Sequence, residues 1–506
     1  MKELTNNRLL AKNTLWNLGG NIGTVIIALL AIPIIFSHLG ASRLGILTLV
    51  WAIEGHFGIF DLGLSHALTK LISEKLGANK ESETPPIFWL SLTLMTAAGI
   101  AGALALWLFT PQFVQNILKI PIEIEGDAIT CFKLVAISLP IVISSAALRG
   151  TLAAHQRFDL LNLVRLPTSL LSYAAPLLAI PFTESLWPIV LLLIVSRLLS
   201  WLLHFVLCLR TSPTLFSKIS IRKAPIRRML SFGGWMTVTN IISPIIVNLD
   251  RFIIGSIVSV ASVAYYAAPY EASTKLWMIP TSITSVLFPA LSATIGINKQ
   301  KAAVLYAKAV KYIFLLLFPI TILAIMLGKW VLQIWLGQDF SDQSTPVFKL
   351  LIIGVFANSL GQVPFWQIQA VGRPDIPAKI HAIELPIYIF TLWTLTTHFG
   401  ILGAASAWLV RATLDSLVMH WMSSRLSPET KPVALNLFKG SIIASPALIC
   451  STMFTEIIWS AFFAWTICTI FLSITWSKFL VEDEKQSIKK LLQSNRLPSF
   501  RRKNKL

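Results

Sequence analysis

Charged residues are scarce in this chain. Asp, Glu, Lys and Arg make up 13% of its 506 residues, about half the share of an ordinary soluble domain, which excludes a water-soluble globule. Cysteine is sparse too: Cys131, Cys208, Cys450 and Cys468 fall in apolar runs without a CxxC spacing. They predict small packing residues and exclude a thiolate metal site. No GxxxxGK[ST] loop, HExxH helix or GxSxG elbow occurs, so nucleotide-driven pumping, zinc hydrolysis and serine acyl chemistry lack their residues. No catalytic residue, metal or cofactor is expected. Long hydrophilic stretches are also missing. The longest expected outer connection, Pro111 to Asp127, is too short for a sugar-chemistry domain, which disfavours a membrane glycosyltransferase or polymerase.

What the chain has is apolar length. Hydrophobic residues make up 55% of it and its mean hydropathy is +0.72. The apolar runs reach about 20 to 25 residues, enough for helices that cross about 30 Å of hydrocarbon, and they lack the alternation of a barrel strand. Together they predict an all-α polytopic membrane protein of about 14 transmembrane helices. The first run, from about Thr14 to Ser37, is too long for a signal-peptide core and is taken as a retained span.

The basic residues test this count. The net charge of +19 would suit a nucleic-acid binder if it formed one patch, but Lys and Arg recur between apolar runs, so no nucleic acid is expected. With the N-terminus inside, alternate connections take most of the cations, and the outer ones keep only Arg43, Lys119 and Lys329. This pattern follows the positive-inside rule and predicts both termini in the cytoplasm. The basic connection from Thr211 to Arg227 divides the first twelve spans. The expected organisation is a six-helix lobe over 1–210, a linker over 211–227, a second six-helix lobe over 228–426, two added helices over 427–480 and a basic tail over 481–506. The tail suits anionic lipid head groups. Prolines recur inside the apolar runs, and Pro33 with the Pro269/Pro280 pair are the favoured hinges.

Seven cations fall inside spans: Lys133, Arg165, Arg197, Arg251, Lys275, Lys349 and Arg411. A cation at the bilayer centre costs about 2.5 to 3.5 kcal/mol on insertion scales, so several together point to an anionic cargo. Arg197 and Arg411 lie about ten residues deep and are expected to face each other across a cavity, with Arg165, Arg251 and Lys275 as secondary contacts. Arg197 has no carboxylate within a turn and shares its face with His204. Glu271 with Lys275, and Arg411 with Asp415, are spaced for ion pairs along one helix. For a coupling ion, H⁺ or Na⁺, the candidates are Glu54, Asp61 and Asp250; Glu54 and Asp61 are seven apart and share a face.

Two stretches resemble a known family. The segment from Asn13 to Lys80 contains an LG-x4-G element (Leu39, Gly40, Gly45) and an FDLGLS block (Phe60 to Ser65). The segment from Asn248 to Ser292 begins NLDRFIIG and ends in Pro-Ala-Leu-Ser. Both resemble polysaccharide exporters, the Wzx-like flippases of O-antigen and lipid-linked oligosaccharide in the multidrug/oligosaccharidyl-lipid/polysaccharide exporter superfamily. The resemblance implies two six-helix lobes around a cationic cavity and alternating access. It implies a polyprenyl-diphosphate-linked glycan moved from the cytoplasmic to the periplasmic leaflet of a bacterial inner membrane. Membrane lipids, and other membrane proteins of polysaccharide assembly, are the implied partners. A multidrug or organic-cation antiporter of the same superfamily and a lipid II flippase are the rival readings.

Overall fold

In the computed structural model, the described residues are 9–20, 63–112, 122–179, 185–217, 225–453 and 456–475, with scattered positions elsewhere. Glu54, Asp61 and Pro33 lie outside them. The described elements are helical, and no strand occurs among them. The helices are α1 (9–20), α2 (Leu64–Gly77), α3 (Pro85–Gln112), α4 (Ile122–Ala154), α5 (Phe158–Ala179), α6 (Trp187–Thr211) and α7 (Ile226–Ile257). Val260–Thr274 and Met278–Thr294, joined by a 3-10 turn at Lys275–Trp277, make one span, α8. There follow α9 (Lys299–Leu336) and α10 (Gln338–Val371). The long element Asp375–Leu426 breaks at Gly400 (φ 58°, ψ −138°) into α11 (375–399) and α12 (401–426). The last two are α13 (Lys431–Met453) and α14 (Ile457–Ile474).

Eight of the described helical stretches are long and apolar enough to cross a membrane, with Asp375–Leu426 taken as one. The fold is therefore the expected all-α bundle of about 14 helices. Most helices begin and end within a few residues of the apolar runs read from the sequence, such as 187–210 for α6, 228–255 for α7 and 401–424 for α12. The exceptions are instructive: α9 and α10 run on past their apolar stretches and meet at Gly337 (φ 90°). There Lys329 pairs with Asp342 at 3.2 Å, and the Ser341 hydroxyl donates to the Lys329 carbonyl at 2.9 Å. These polar residues read as loop by hydropathy, yet the helical hydrogen bonding continues through them.

The core forms in separate clusters. One joins α2 to α6 through Leu68, Phe132, Leu139 and Leu193. A second joins α8, α9 and α10 to α13 and α14 through Phe288, Tyr306, Phe318, Phe356 and Leu448. A third joins α7, α8 and α10 to α11 and α12 through Tyr266, Tyr270, Tyr388 and Trp408. Outward faces stay apolar, as in Leu198, Leu199, Leu202 and Leu203 of α6 and Phe390 and Trp393 of α11. Exposed side chains of that kind belong against lipid. The cysteines have no disulfide partner: Cys131 and Cys208 are buried, Cys468 is half-buried and Cys450 is exposed.

The helices up to α6 and those from α7 onward, taken as two groups, meet along α2 and α8. Backbones approach closely at Gly63 (φ 65°), where a Cβ would lie 2.3 Å from Met236 Cβ, and at Gly77, where it would lie 2.0 Å from the Ala293 carbonyl oxygen. The Asn17 amide donates to Ser285 Oγ at 2.9 Å, and the Gln156 amide donates to the Val286 carbonyl at 3.1 Å. His66 of α2 stacks on Trp366 of α10 with ring centroids 5.3 Å apart. Gly63 belongs to the FDLGLS block, so its left-handed backbone and its contact with α7 give that motif a structural role.

Candidate substrate-binding site

The α11–α12 hairpin turns at Gly400, whose positive φ suits only glycine. Gly403 sits so close to the Leu395 carbonyl that a Cβ would reach 1.9 Å from its oxygen, and from this tight start the two helices run antiparallel. Deeper along them the register sets Arg411 Nη1 3.6 Å from Glu384 Oε2, and His381 Nε2 3.5 Å from Asp415 Oδ1. The expected Arg411–Asp415 pair along one helix is replaced by these two cross-helix pairs. Arg preceding Asp at this spacing is the weaker order for a helical ion pair, and the neighbouring helix offers a carboxylate at the same depth.

Arg411 and Glu384 are nearly buried, with side chains 10% and 15% exposed, and the guanidinium lies over the Tyr388 ring at 5.5 Å. A cavity of about 190 Å³ opens beside them, lined by Ser243, Ile246 and Val247 of α7, Trp277 of α8, Asn358, Gly361, Gln362 and Phe365 of α10, His381, Arg411 and Asp415. Gly361 packs on Ser416, where a Cβ would lie 3.0 Å from Ser416 Cα, so α10 can present Asn358, Gln362 and Phe365 to the hollow. Several polar atoms around it are buried without a protein hydrogen-bond partner, among them Arg411 Nε, Asp415 Oδ1, His381 Nδ1 and Trp277 Nε1. Leaving such groups unmade costs about 1 to 3 kcal/mol each, so this is a place for water or a polar ligand.

His381, Glu384 and Asp415 bring their donor atoms within 4.8 Å of one another. That spacing could hold a small cation, but Arg411 already supplies the positive charge beside Glu384. From the cavity an aromatic path runs toward α2: His381 stacks on Phe365 at 5.9 Å, Phe365 meets Trp366 at 5.3 Å, and Trp366 stacks on His66.

The other candidates are placed as follows. Arg251 and Lys275 converge on Glu271, at 2.8 and 3.4 Å, and Arg251 also lies 5.4 Å over the Tyr270 ring. The Glu271–Lys275 pair thus forms as spaced, with Arg251 added from α7. Asp250 is fully buried, accepts a short hydrogen bond from the Tyr266 hydroxyl and accepts another from the Arg251 backbone N–H at 2.9 Å. It is not among the residues lining the cavity. Arg197 is half-buried on α6 and likewise does not line it. His204, expected to extend its polar stripe, sits against the Ser200 carbonyl at 2.8 Å instead. Arg165 is exposed on α5. Lys133 lies over the Trp107 ring, and Lys349 donates to the Thr452 carbonyl at 2.8 Å. His381 and Glu384 were not expected as site residues. Their three-residue spacing on one helix face, with Tyr388 a turn further on, was the available signal.

Comparison with known proteins adds to this geometry. A profile described as polysaccharide biosynthesis protein matches residues 39–345. The chain belongs to the polysaccharide biosynthesis protein family. A Shigella flexneri protein named an O-antigen transporter is 32% identical over 417 residues, covering 82% of this chain and 98% of the relative. The lipopolysaccharide biosynthesis protein WzxC of Escherichia coli is 20% identical over 428 residues, covering 83% of this chain and 84% of the relative. A crystal structure of the Vibrio cholerae MATE transporter VcmN superposes with a TM-score of 0.72 at 15% identity, covering 86% of this chain and 99% of that one. At that identity the likeness is one of fold. The family member described here is thus a multi-pass membrane transporter.

Proposed function

We propose that this family member is a flippase that carries a polyprenyl-diphosphate-linked oligosaccharide, such as an O-antigen repeat unit, between membrane leaflets. The observation that carries the reading is Arg411. It is a guanidinium at membrane depth on the wall of a cavity it shares with Asn358, Gln362, His381 and Asp415, held only loosely by Glu384 at 3.6 Å and with Nε free of any hydrogen bond. A planar guanidinium can give a phosphate two parallel charge-assisted hydrogen bonds. The head group of such a lipid cannot shed its water in hydrocarbon, so the protein must supply polar partners along the path. The names of the Shigella and Escherichia relatives point the same way.

In this mechanism the diphosphate takes Arg411 from Glu384, and release of the cargo returns the guanidinium to that carboxylate. Glu54, Asp61 and Asp250 are the coupling sites for an H⁺ or Na⁺ that enters with the returning empty carrier. Arg197, Arg165 and Lys275 act as further anion contacts along the route, while Arg251 stays with Glu271. The positive-inside pattern puts both termini, and the ends of α2 and α8 that join the lobes, in the cytoplasm. Export then carries anionic charge outward, which an inside-negative potential favours by about 2.3 kcal/mol per charge per 100 mV.

The test is surface glycan in a deletion strain carrying Arg411→Ala at matched membrane levels: the expected outcome is loss of display, and normal display would remove Arg411 from the mechanism. One observation favours a rival. Glu384 and Asp415 beside the aromatic Phe365 and Trp277 would also suit an organic cation. In that case the deletion strain would become drug-sensitive while keeping its glycan.

A further inference from the structure

A second cavity, of about 340 Å³, lies at the seam between the two groups of helices and shares no lining residue with the Arg411 hollow. It is lined by Lys70 and Leu71 of α2, by Arg228, Ser231, Phe232 and Trp235 of α7, by the Gly372–Arg373–Pro374 turn, and by Asp375 and Lys379 at the start of α11. Four cations here share two carboxylates. Lys70, with a side chain only 2% exposed, pairs with Glu74 in a short contact, and Arg228 reaches the same Glu74 at 2.9 Å. Across the cavity Asp375 serves both Arg373 at 2.8 Å and Lys379 at 3.2 Å. Lys379 also lies 5.1 Å over the Trp235 ring.

The walls are fixed by backbone geometry. Gly372 has φ 97°, and a Cβ there would lie 3.3 Å from Lys70 Cε, so the turn between α10 and α11 is pressed onto the buried lysine. Burying an ammonium is costly unless it is well compensated. Lys70 has one shared carboxylate, while three more cations line the same hollow. The unbalanced charge in the pocket is positive.

We propose that this pocket is a binding site for an anion of the phosphate class, a diphosphate or a phosphate monoester, held jointly by Lys70, Arg228, Arg373 and Lys379. Because α2 belongs to one group of helices and the other three cations to the second, a bound anion ties the two groups together at this end. The site stands apart from the Arg411 cavity. Only the further step, that the anion is the diphosphate of a lipid-linked cargo docked before it moves inward, rests on the flippase reading.

The experiment is pyrophosphate binding to the full chain in phosphatidylcholine nanodiscs, measured on an Arg411→Gln background so that the other cavity cannot contribute. Saturable binding is expected there, weakened roughly tenfold or more by adding Arg228→Gln or Arg373→Gln and partly restored by Arg228→Lys. Thermal unfolding of each variant shows that it is folded. The same titration in discs containing phosphatidic acid distinguishes the sources. Weaker pyrophosphate binding there identifies a bilayer phosphate as a competing occupant, and unchanged binding identifies a soluble or lipid-linked diphosphate; both place the anion at these cations. Absence of pyrophosphate binding on the Arg411→Gln background, or binding indifferent to Arg228→Gln and Arg373→Gln, would overturn the proposal and leave the flippase reading standing. Normal glycan display in Arg411→Ala would do the reverse.

Discussion

Arg411 and Glu384 are mutual counter-ions in a setting where neither is cheap to leave alone. Breaking a buried pair from one side costs about 3 to 5 kcal/mol, because the remaining charge is uncompensated. Glu384→Gln is therefore expected to lower the thermal unfolding temperature in detergent, and the double variant Glu384→Gln/Arg411→Met to regain most of the loss without regaining transport. If both variants transport normally, the pair is architectural. Arg411→Lys keeps the charge but loses the planar fork. It should transport more slowly than the parent by about tenfold, since one charge-assisted hydrogen bond is worth about 1.5 kcal/mol or more; the assay is the rate of glycan display after induction. Arg251 is a different case. Its pairing with Glu271 and its place over Tyr270 satisfy it within the protein, so Arg251→Gln should act on stability before transport.

Among the elements, the α11–α12 hairpin does most to build the site. Gly400 takes a backbone conformation that costs other residues about 1 to 3 kcal/mol, and the close approach at Gly403 sets the register that pairs Glu384 with Arg411 and His381 with Asp415. Gly400→Ala is expected to lower stability by about that amount and to reduce transport at temperatures where the protein stays folded. A thermal melt paired with a transport assay separates the two effects, and an unchanged melt would show that the turn tolerates a side chain. The break in α8 lies at Lys275–Trp277, between Pro269 and Pro280, the pair expected to form a hinge, and it delivers Trp277 to the cavity. Hydropathy made these helices legible because lipid-facing runs are long and unmixed. It missed the ends of α9 and α10 because polar residues there continue a helix beyond the apolar stretch. Individual cations at depth were legible as well. Their partners were not, since Glu384 and Arg411 are 27 positions apart and meet only through a turn whose register no local spacing encodes.

At the scale of the whole molecule, two groups of helices are pinned at one end by Asn17 with Ser285, Gln156 with Val286, and the Gly77–Ala293 approach. Alternating access requires these contacts to part. A cysteine-free protein carrying Asn17→Cys and Ser285→Cys, bridged by a short thiol cross-linker, should lose transport and recover it when the link is reduced. Persistent transport while bridged would show that this seam need not open.

The most direct measurement is head-group translocation of a fluorescent polyprenyl-diphosphate oligosaccharide in proteoliposomes made from the purified chain, compared with Arg411→Gln at matched amounts of folded protein. The account predicts movement between leaflets by the parent protein and at least a tenfold slower rate for the variant. Equal rates for the two proteins, or none above protein-free vesicles for the parent under an imposed potential and proton gradient, would contradict it.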